Sequence, residues 1–369
     1  MTNPEDRFDI CDKRRTILDS AGHMLVLGGP GSGKTTIALL KARRVVLERL
    51  QPEQSVLFLS FSNSAIRRIL ESAGSVLTKD IARQVEIKTY HSFAWEILKS
   101  HGYLLSSQRE LAIVAAQDAA VMRAGLEDDE WLAEEGRLFQ EDGRVTYDQF
   151  APRAADILER SAVVRNCFCS AHPLILVDEF QDTDKEQWRL IRALSKNSEI
   201  TAFGDTEQRI YAWRKGVSPN RLNEFAETLD ANTCDFQNEN NRSPATGIVG
   251  YARSLLSPDI SLELPDDIAF KRFRPGQFAV GVRVSLFKTC NESVKRAGHR
   301  DITVAVAGRS RAIVRLISDA LAQKLRLGAK LHRPVPHDVM FDQMQVTLAS
   351  RVIAYLLASK RVARDTHTP

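Results

Sequence analysis

Residues 24–36 read Met24-Leu25-Val26-Leu27-Gly28-Gly29-Pro30-Gly31-Ser32-Gly33-Lys34-Thr35-Thr36. The apolar run Met24 to Leu27 predicts a buried strand that feeds directly into a turn of pattern G-x-x-x-x-G-K-[ST]. Glycines let successive backbone N–H groups curl around a phosphate, and a helix beginning at Lys34 or Thr35 adds positive potential at its N-terminus. Lys34 can reach the outer phosphates, and the Thr35 hydroxyl can ligate Mg²⁺. Gly28 to Thr36 are thus the candidate nucleotide-binding residues. A cradle of this kind needs a metal-anchoring carboxylate and a group that orients or deprotonates water. Ile175-Leu176-Val177-Asp178-Glu179 supplies both at the end of another apolar run, with Asp178 as the metal partner and Glu179 as the base.

Outward from these sites, strands are predicted at Ser55 to Ser60, Val85 to Lys88, Pro173 to Val177 and Glu199 to Phe203, with helices over Thr35 to Leu50 and Asn63 to Glu71. Thr183-Asp184-Lys185-Glu186 predicts a capping box opening a helix that buries Leu190, Ile191 and Leu194. Strands alternating with helical crossovers give an α/β fold: a P-loop NTPase core whose parallel sheet is flanked by helices, an arrangement that resembles the RecA-like cores. Residues 101–165 are acidic, rich in Ala, Leu and Glu, and carry no strand pattern, so they read as a small helical insertion. Gly281 to Phe287, Ile302 to Ala307 and a helix over Arg311 to Gln323 open a second α/β pattern, with a further helix over Met340 to Ser359. The expected organisation is a first core over 1–100 and 166–235, the insertion over 101–165, and an incomplete second core over 236–369.

Composition narrows the class. The chain of 369 residues is 43% hydrophobic and 27% charged, the balance of a globular protein. Its polar, acidic start is no signal peptide, and no apolar run approaches the ~18 residues of a membrane span, so a cytoplasmic protein without a membrane partner is expected. Five scattered cysteines make no disulfide framework. The net charge of +4 hides an asymmetry: residues 271–333 hold 15 Lys and Arg against 3 Asp and Glu, and residues 110–160 hold 5 against 13. Such segregation points to a polyanionic partner.

Further motifs surround the two sites. Val177-Asp178-Glu179-Phe180-Gln181-Asp182 resembles the second motif of the UvrD/Rep-like helicases of superfamily 1, and Gly204-Asp205-Thr206-Glu207-Gln208-Arg209-Ile210-Tyr211-Ala212-Trp213-Arg214 resembles their third. Phe61-Ser62-Asn63-Ser64-Ala65 and Lys88-Thr89-Tyr90-His91-Ser92-Phe93 resemble the two DNA-contacting motifs of the first core, and Asn240-Asn241-Arg242-Ser243-Pro244 resembles the fourth motif. The resemblance implies ATP as cofactor with Mg²⁺, and single-stranded DNA, or duplex with a 3′ single-stranded tail, as substrate of a 3′-to-5′ translocase or helicase. It implies that Gln208 couples the γ-phosphate to the DNA site and that Arg242 points at that phosphate. It further implies that Trp213 and Tyr211 stack on bases, and that Phe61, Asn63, Thr89, His91 and Ser92 meet the strand.

Three departures qualify the resemblance. Arg14, in Asp12-Lys13-Arg14-Arg15, stands where the family has a glutamine that reads adenine, and Asn241 replaces the aromatic that stacks on the base. Arginine has donors only, so it does not reproduce an amide's paired contact with adenine, and relaxed selectivity for ATP is expected. The fifth and sixth motifs have no match. The expectation is the N-terminal portion of a longer helicase, or a short protein that borrows its second half, with weak ATPase and little unwinding alone. An alternative is a nucleotide-gated subunit that holds or activates a nuclease, as in Gabija-like anti-phage or repair complexes. The acidic insertion is a poor surface for duplex DNA.

Overall fold

The computed structural model describes residues 10–208, 216–236, 239–241, 246–256, 265–268, 272, 277–297, 304–308, 310–327 and 330–339. It divides into two compact units, Met1–Asp267 and Ile268–Pro369.

In the first unit, α1 (Asp12–Asp19) precedes β1 (Met24–Leu27), α2 (Lys34–Glu48), β2 (Val56–Ser60), α3 (Asn63–Val76), α4 (Lys79–Ala82), β3 (Val85–Thr89) and α5 (Tyr90–His101). The insertion carries β4 (Ala112–Ile113), α6 (Ala116–Arg123), α7 (Asp128–Glu141), β5 (Arg144–Val145), α8 (Phe150–Arg160) and α9 (Ala162–Ala171). Then follow β6 (Leu174–Val177), α10 (Lys185–Leu194), β7 (Glu199–Gly204), α11 (Arg221–Leu229), β8 (Asn232–Asp235) and α12 (Ile248–Leu256).

Six strands form one parallel sheet in the order β3-β2-β6-β7-β1-β8. Alternation along each strand sends side chains to two cores. Leu57, Leu59, Ile175 and Val177 pack with Phe93, Phe150 and Leu190 on one face. Val56, Phe58, Leu174 and Leu176 pack with Ile17, Leu39 and Ile69 on the other. Both faces are covered, which is why these strands read as continuous apolar runs. The C-terminal ends of β1, β6 and β7 lie together at one edge, where the loops after them meet.

Several expectations are corrected. The insertion is not purely helical: β4 and β5 pair in parallel, Ala112 with Arg144 and Ile113 with Val145. The capping box at α10 sits one residue later than Thr183/Glu186. Asp184 accepts from the Glu186 and Gln187 backbone N–H groups, and the Gln187 side chain accepts from the Asp184 N–H. The Thr183 hydroxyl instead donates to the Phe180 carbonyl, 2.7 Å away. Edge strand β8, too polar to predict, forms because β1 supplies its ladder.

In the second unit, Gly281 to Phe287 is not a strand but part of α13 (Phe278–Ala297), followed by α14 (Arg311–Ala322) and the antiparallel pair β9 (Leu325–Leu327) and β10 (Lys330–His332). Alternating Val282, Val284 and Leu286 mimic a strand, but Arg283 is fully buried and donates to the carbonyls of Ala320, Gln323 and Arg333 near the end of α14. Within the stretch read as a strand at Ile302 to Ala307, the described residues 304–307 form none. The helix expected over Met340 to Ser359 lies outside the described residues. Among the described residues, no helix is long and apolar enough to cross a membrane.

Candidate functional site

The cradle begins where β1 ends. The Gly28 N–H donates to the Gly204 carbonyl at 3.1 Å, tying the loop to the end of β7. Gly31 and Gly33 adopt φ of +78° and +91°, a left-handed conformation that side chains disfavour. These turns bring the loop into α2, whose N-terminus has no side-chain cap. Its first N–H groups are thereby left to an anion. Ser32 is buried and its hydroxyl donates to the Gly29 carbonyl at 2.9 Å, while Lys34 Nζ donates to the carbonyls of Gly28 (2.6 Å) and Gly29 (3.2 Å).

A cavity of about 420 Å³ opens over this loop, and Gly29 to Thr36 share its walls with Asp178, Glu179, Gln208, Asn241 and Arg68. Asp178 is buried at the end of β6, and its N–H donates to the Leu59 carbonyl of β2. Burial first, and the Glu179 charge second, push its carboxyl up to about 6; Lys34 and Arg68 oppose that rise. Glu179 has φ of +49°, a conformation costing ~1–3 kcal/mol for a residue with a side chain. Its carboxylate is held by Gln181, which is 1% exposed. Gln181 Nε2 donates to Glu179 Oε2 at 2.8 Å and to the Gln208 carbonyl at 3.3 Å, while Oε1 accepts from the Asp205 N–H at 3.1 Å. One amide thus joins the expected base to the loop carrying Gln208. Asp205 Oδ2 is buried with no hydrogen-bond partner. Oxygen donors from Thr35 and Asp178 in one cavity suit a hard divalent cation that retains waters and phosphate ligands.

Beside the loop, Arg14 donates to the Ser32 carbonyl at 3.2 Å, pairs with Glu239, and covers the Phe236 ring at 5.0 Å. Asn241 donates to the same carbonyl at 3.3 Å, and its N–H donates to the Gly31 carbonyl at 2.8 Å. The two departures from the family pattern therefore meet at one backbone oxygen.

The residues expected at DNA lie at the C-terminal ends of β2 and β3, where Ser60 and Thr89 are register partners. Phe61 packs on Tyr90 with ring centroids 5.3 Å apart, and Asn63 is the first residue of α3. Thr89 and Ser92 cap α5 reciprocally. His91 stands near Tyr147 and Phe150, with both ring centroids 6.2 Å away. Tyr211, Trp213 and Arg242 lie outside the described residues. Sequence reasoning left out Gln181, Asp205, Glu239 and Arg68. The first two stood inside quoted motifs, and Arg68 was marked only by helical spacing from Ala65.

The AAA domain family matches residues 15–214. DNA helicase II of Haemophilus influenzae is 25% identical over 292 residues, 66% of this chain and 40% of that protein. ATP-dependent DNA helicase PcrA of Leuconostoc citreum is 23% identical over 256 residues, 58% of this chain and 34% of its own. ATP-dependent DNA helicase Rep of Escherichia coli K12 is 25% identical over 244 residues, 54% and 36% respectively. The chain spans 34–40% of the length of these curated relatives. The family match covers more than half of the chain, which belongs to the AAA domain family and, over that part, to the UvrD/Rep-like group of superfamily 1.

Proposed function

We propose that this chain is an Mg²⁺-dependent nucleoside triphosphatase that drives movement along single-stranded DNA, acting 3′-to-5′ as a helicase-type motor. The observation that carries the reading is the single cavity joining Lys34, Thr35, Asp178, Glu179 and Gln208. Lys34 and the N-terminal amides of α2 bind the outer phosphates, and Thr35 and Asp178 hold the metal. Glu179 orients the water that attacks the terminal phosphate. Gln208 relays the state of that phosphate to the DNA-binding side, and Arg242 adds charge against it. Phe61, Asn63, Thr89, His91 and Ser92 meet the strand's backbone, where contacts position without reading sequence. Tyr211 and Trp213 stack on its bases, each worth ~1–3 kcal/mol. The relatives named above are DNA helicases by name, which supports a helicase-type function.

The test is hydrolysis of ATP, GTP and CTP with and without single-stranded DNA, beside a Glu179→Gln control. The reading expects DNA-stimulated turnover that Glu179→Gln abolishes, falling with added salt as counterion release predicts. Relaxed base selectivity predicts comparable use of the three nucleotides. Absence of hydrolysis with DNA present, or turnover surviving Glu179→Gln, overturns the reading.

A further inference from the structure

Helix α3 turns Ala65, Arg68, Ile69 and Ser72 toward the nucleotide cavity, positions that fall on one helical face. Ala65 and Ile69 are buried beneath it, whereas Arg68 is exposed and lines it. Among the described lining residues, Lys34 and Arg68 are the two cations, sharing the cavity with the carboxylates Asp178 and Glu179.

Arg68 is also uncommitted. Among the described residues its guanidinium makes no hydrogen bond or ion pair, although Glu71 lies one turn further along the same helix. Arg14, at the other side of the loop, is the contrast: its donors are spent on Glu239 and on the Ser32 carbonyl. Arg68 does not belong to the DNA-facing group either. Asn63 precedes it by five residues, which places the two about 140° apart around the helix.

We propose that Arg68 is a catalytic residue of the nucleotide site, a guanidinium that contacts the terminal phosphates of the bound nucleoside triphosphate from the side opposite the cradle. This rests on the hydrolytic reading above. The water oxygen bonds the γ-phosphorus while the bond from that phosphorus to the bridging oxygen breaks. The electron pair stays on the departing diphosphate, and the water proton passes to Glu179. Arg68 changes no covalent bond. Its planar fork of donors meets the charge that gathers on the phosphate oxygens as the bond breaks. Lys34 reaches the phosphates from within the cradle and Arg242 is assigned above to the terminal phosphate; Arg68 adds a further guanidinium from α3.

The experiment compares wild type, Arg68→Ala, Arg68→Lys and Lys34→Ala in the full chain. Fluorescent ATP and ADP analogues report affinity, and single-turnover hydrolysis with DNA reports the chemical step. Arg68→Ala is expected to slow turnover ~10²–10³-fold, to weaken the triphosphate more than the diphosphate, and to leave the urea midpoint unchanged. Added guanidinium ion, at concentrations below denaturing, should restore part of the Arg68→Ala rate without helping Lys34→Ala. Arg68→Lys should fall between, keeping charge without the fork. Wild-type affinity and turnover in Arg68→Ala overturn the proposal. So does slowed turnover that guanidinium cannot rescue, which would make Arg68 structural. If the wild type binds neither analogue, the nucleotide-site reading itself fails and Arg68 falls with it.

Discussion

Replacing Gln181 separates two ways of disabling Glu179. Gln181→Met keeps the volume and removes all three hydrogen bonds of the amide. The Asp205 N–H is buried and loses its acceptor, which costs ~1–3 kcal/mol. The bond to the Glu179 carboxylate is worth ~1.5–3 kcal/mol, less what water regains at this half-buried group, so a total of about 2–3 kcal/mol is expected. Gln181→Glu keeps an acceptor for Asp205 but sets a second carboxylate against Glu179. Two unit charges about 4 Å apart repel by ~4 kcal/mol at an effective dielectric of 20, and by about half that at this partly exposed site. The pair then shares a proton, moving the acid limb of turnover upward by about 1–2 pH units.

Urea denaturation and single-turnover hydrolysis between about pH 5 and 9 read both effects. Gln181→Met should lower turnover about 10–10²-fold at every pH, because the base loses its orientation without gaining a charged neighbour. Gln181→Glu should approach the wild-type rate at the alkaline end and fail at the acid end. If the two variants share one pH profile, or Gln181→Met turns over like wild type, Gln181 does not position the base.

Two further outcomes are expected. Ligand-free protein keeps the Asp178 proton up to about 6, against 3.8 in the unfolded chain, so its stability falls as pH rises between those values. Asp178→Asn removes that slope and should be ~2–3 kcal/mol more stable than wild type at neutral pH, whereas Mg²⁺ binding strengthens above about 6 in wild type only; a variant no more stable in urea contradicts this. At α10, Asp184→Ala should cost ~1 kcal/mol, and Glu186→Ala, which loses only an ion pair with Arg189, under ~0.5 kcal/mol by thermal or urea denaturation. The reverse order would restore the box to Thr183 and Glu186.

What could be read from the sequence follows from how each element is stabilised. Strands β1, β2, β6 and β7 appear within a residue of their expected ends because burial on both faces leaves largely apolar runs, and edge strand β3 does so through the alternation of Val85 and Ile87 with Glu86 and Lys88. The helix beginning at Asn63 runs on to Val76 rather than stopping near Glu71. Ser72-Ala73-Gly74-Ser75 is a poor helix sequence by propensity, but burial of Ala73 and Val76 carries it. Strand β8, Asn232-Thr233-Cys234-Asp235, has no apolar pattern and exists through its ladder to β1. At the site, residues contributed by local motifs were legible, and those defined by distant partners were not. Glu239 lies 225 residues from Arg14, and no spacing rule joins them.

That distant pair changes what the departures at Arg14 and Asn241 mean. Taken singly, each removes a base-recognising group; together they rebuild the shoulder of the cradle as a packed polar unit. Arg14 is carried by α1, and the end of α1 is fastened to the phosphate-binding helix by Lys41 of α2. Lys41 is fully buried, and Nζ donates to the carbonyls of Ile17 (2.8 Å) and Ser20 (2.9 Å) and to the Ser20 hydroxyl (2.7 Å). Those bonds hold Arg14 against the Ser32 carbonyl, where Glu239 and the Phe236 ring fix it. Arg14 covers Phe236, and Asn241 stands where an aromatic face would be, so a base at this shoulder meets fixed donors and one carboxylate instead of a stacking surface. Discrimination among nucleoside triphosphates then falls to the phosphates, which all of them share, and that is the physical ground for expecting little preference for adenine.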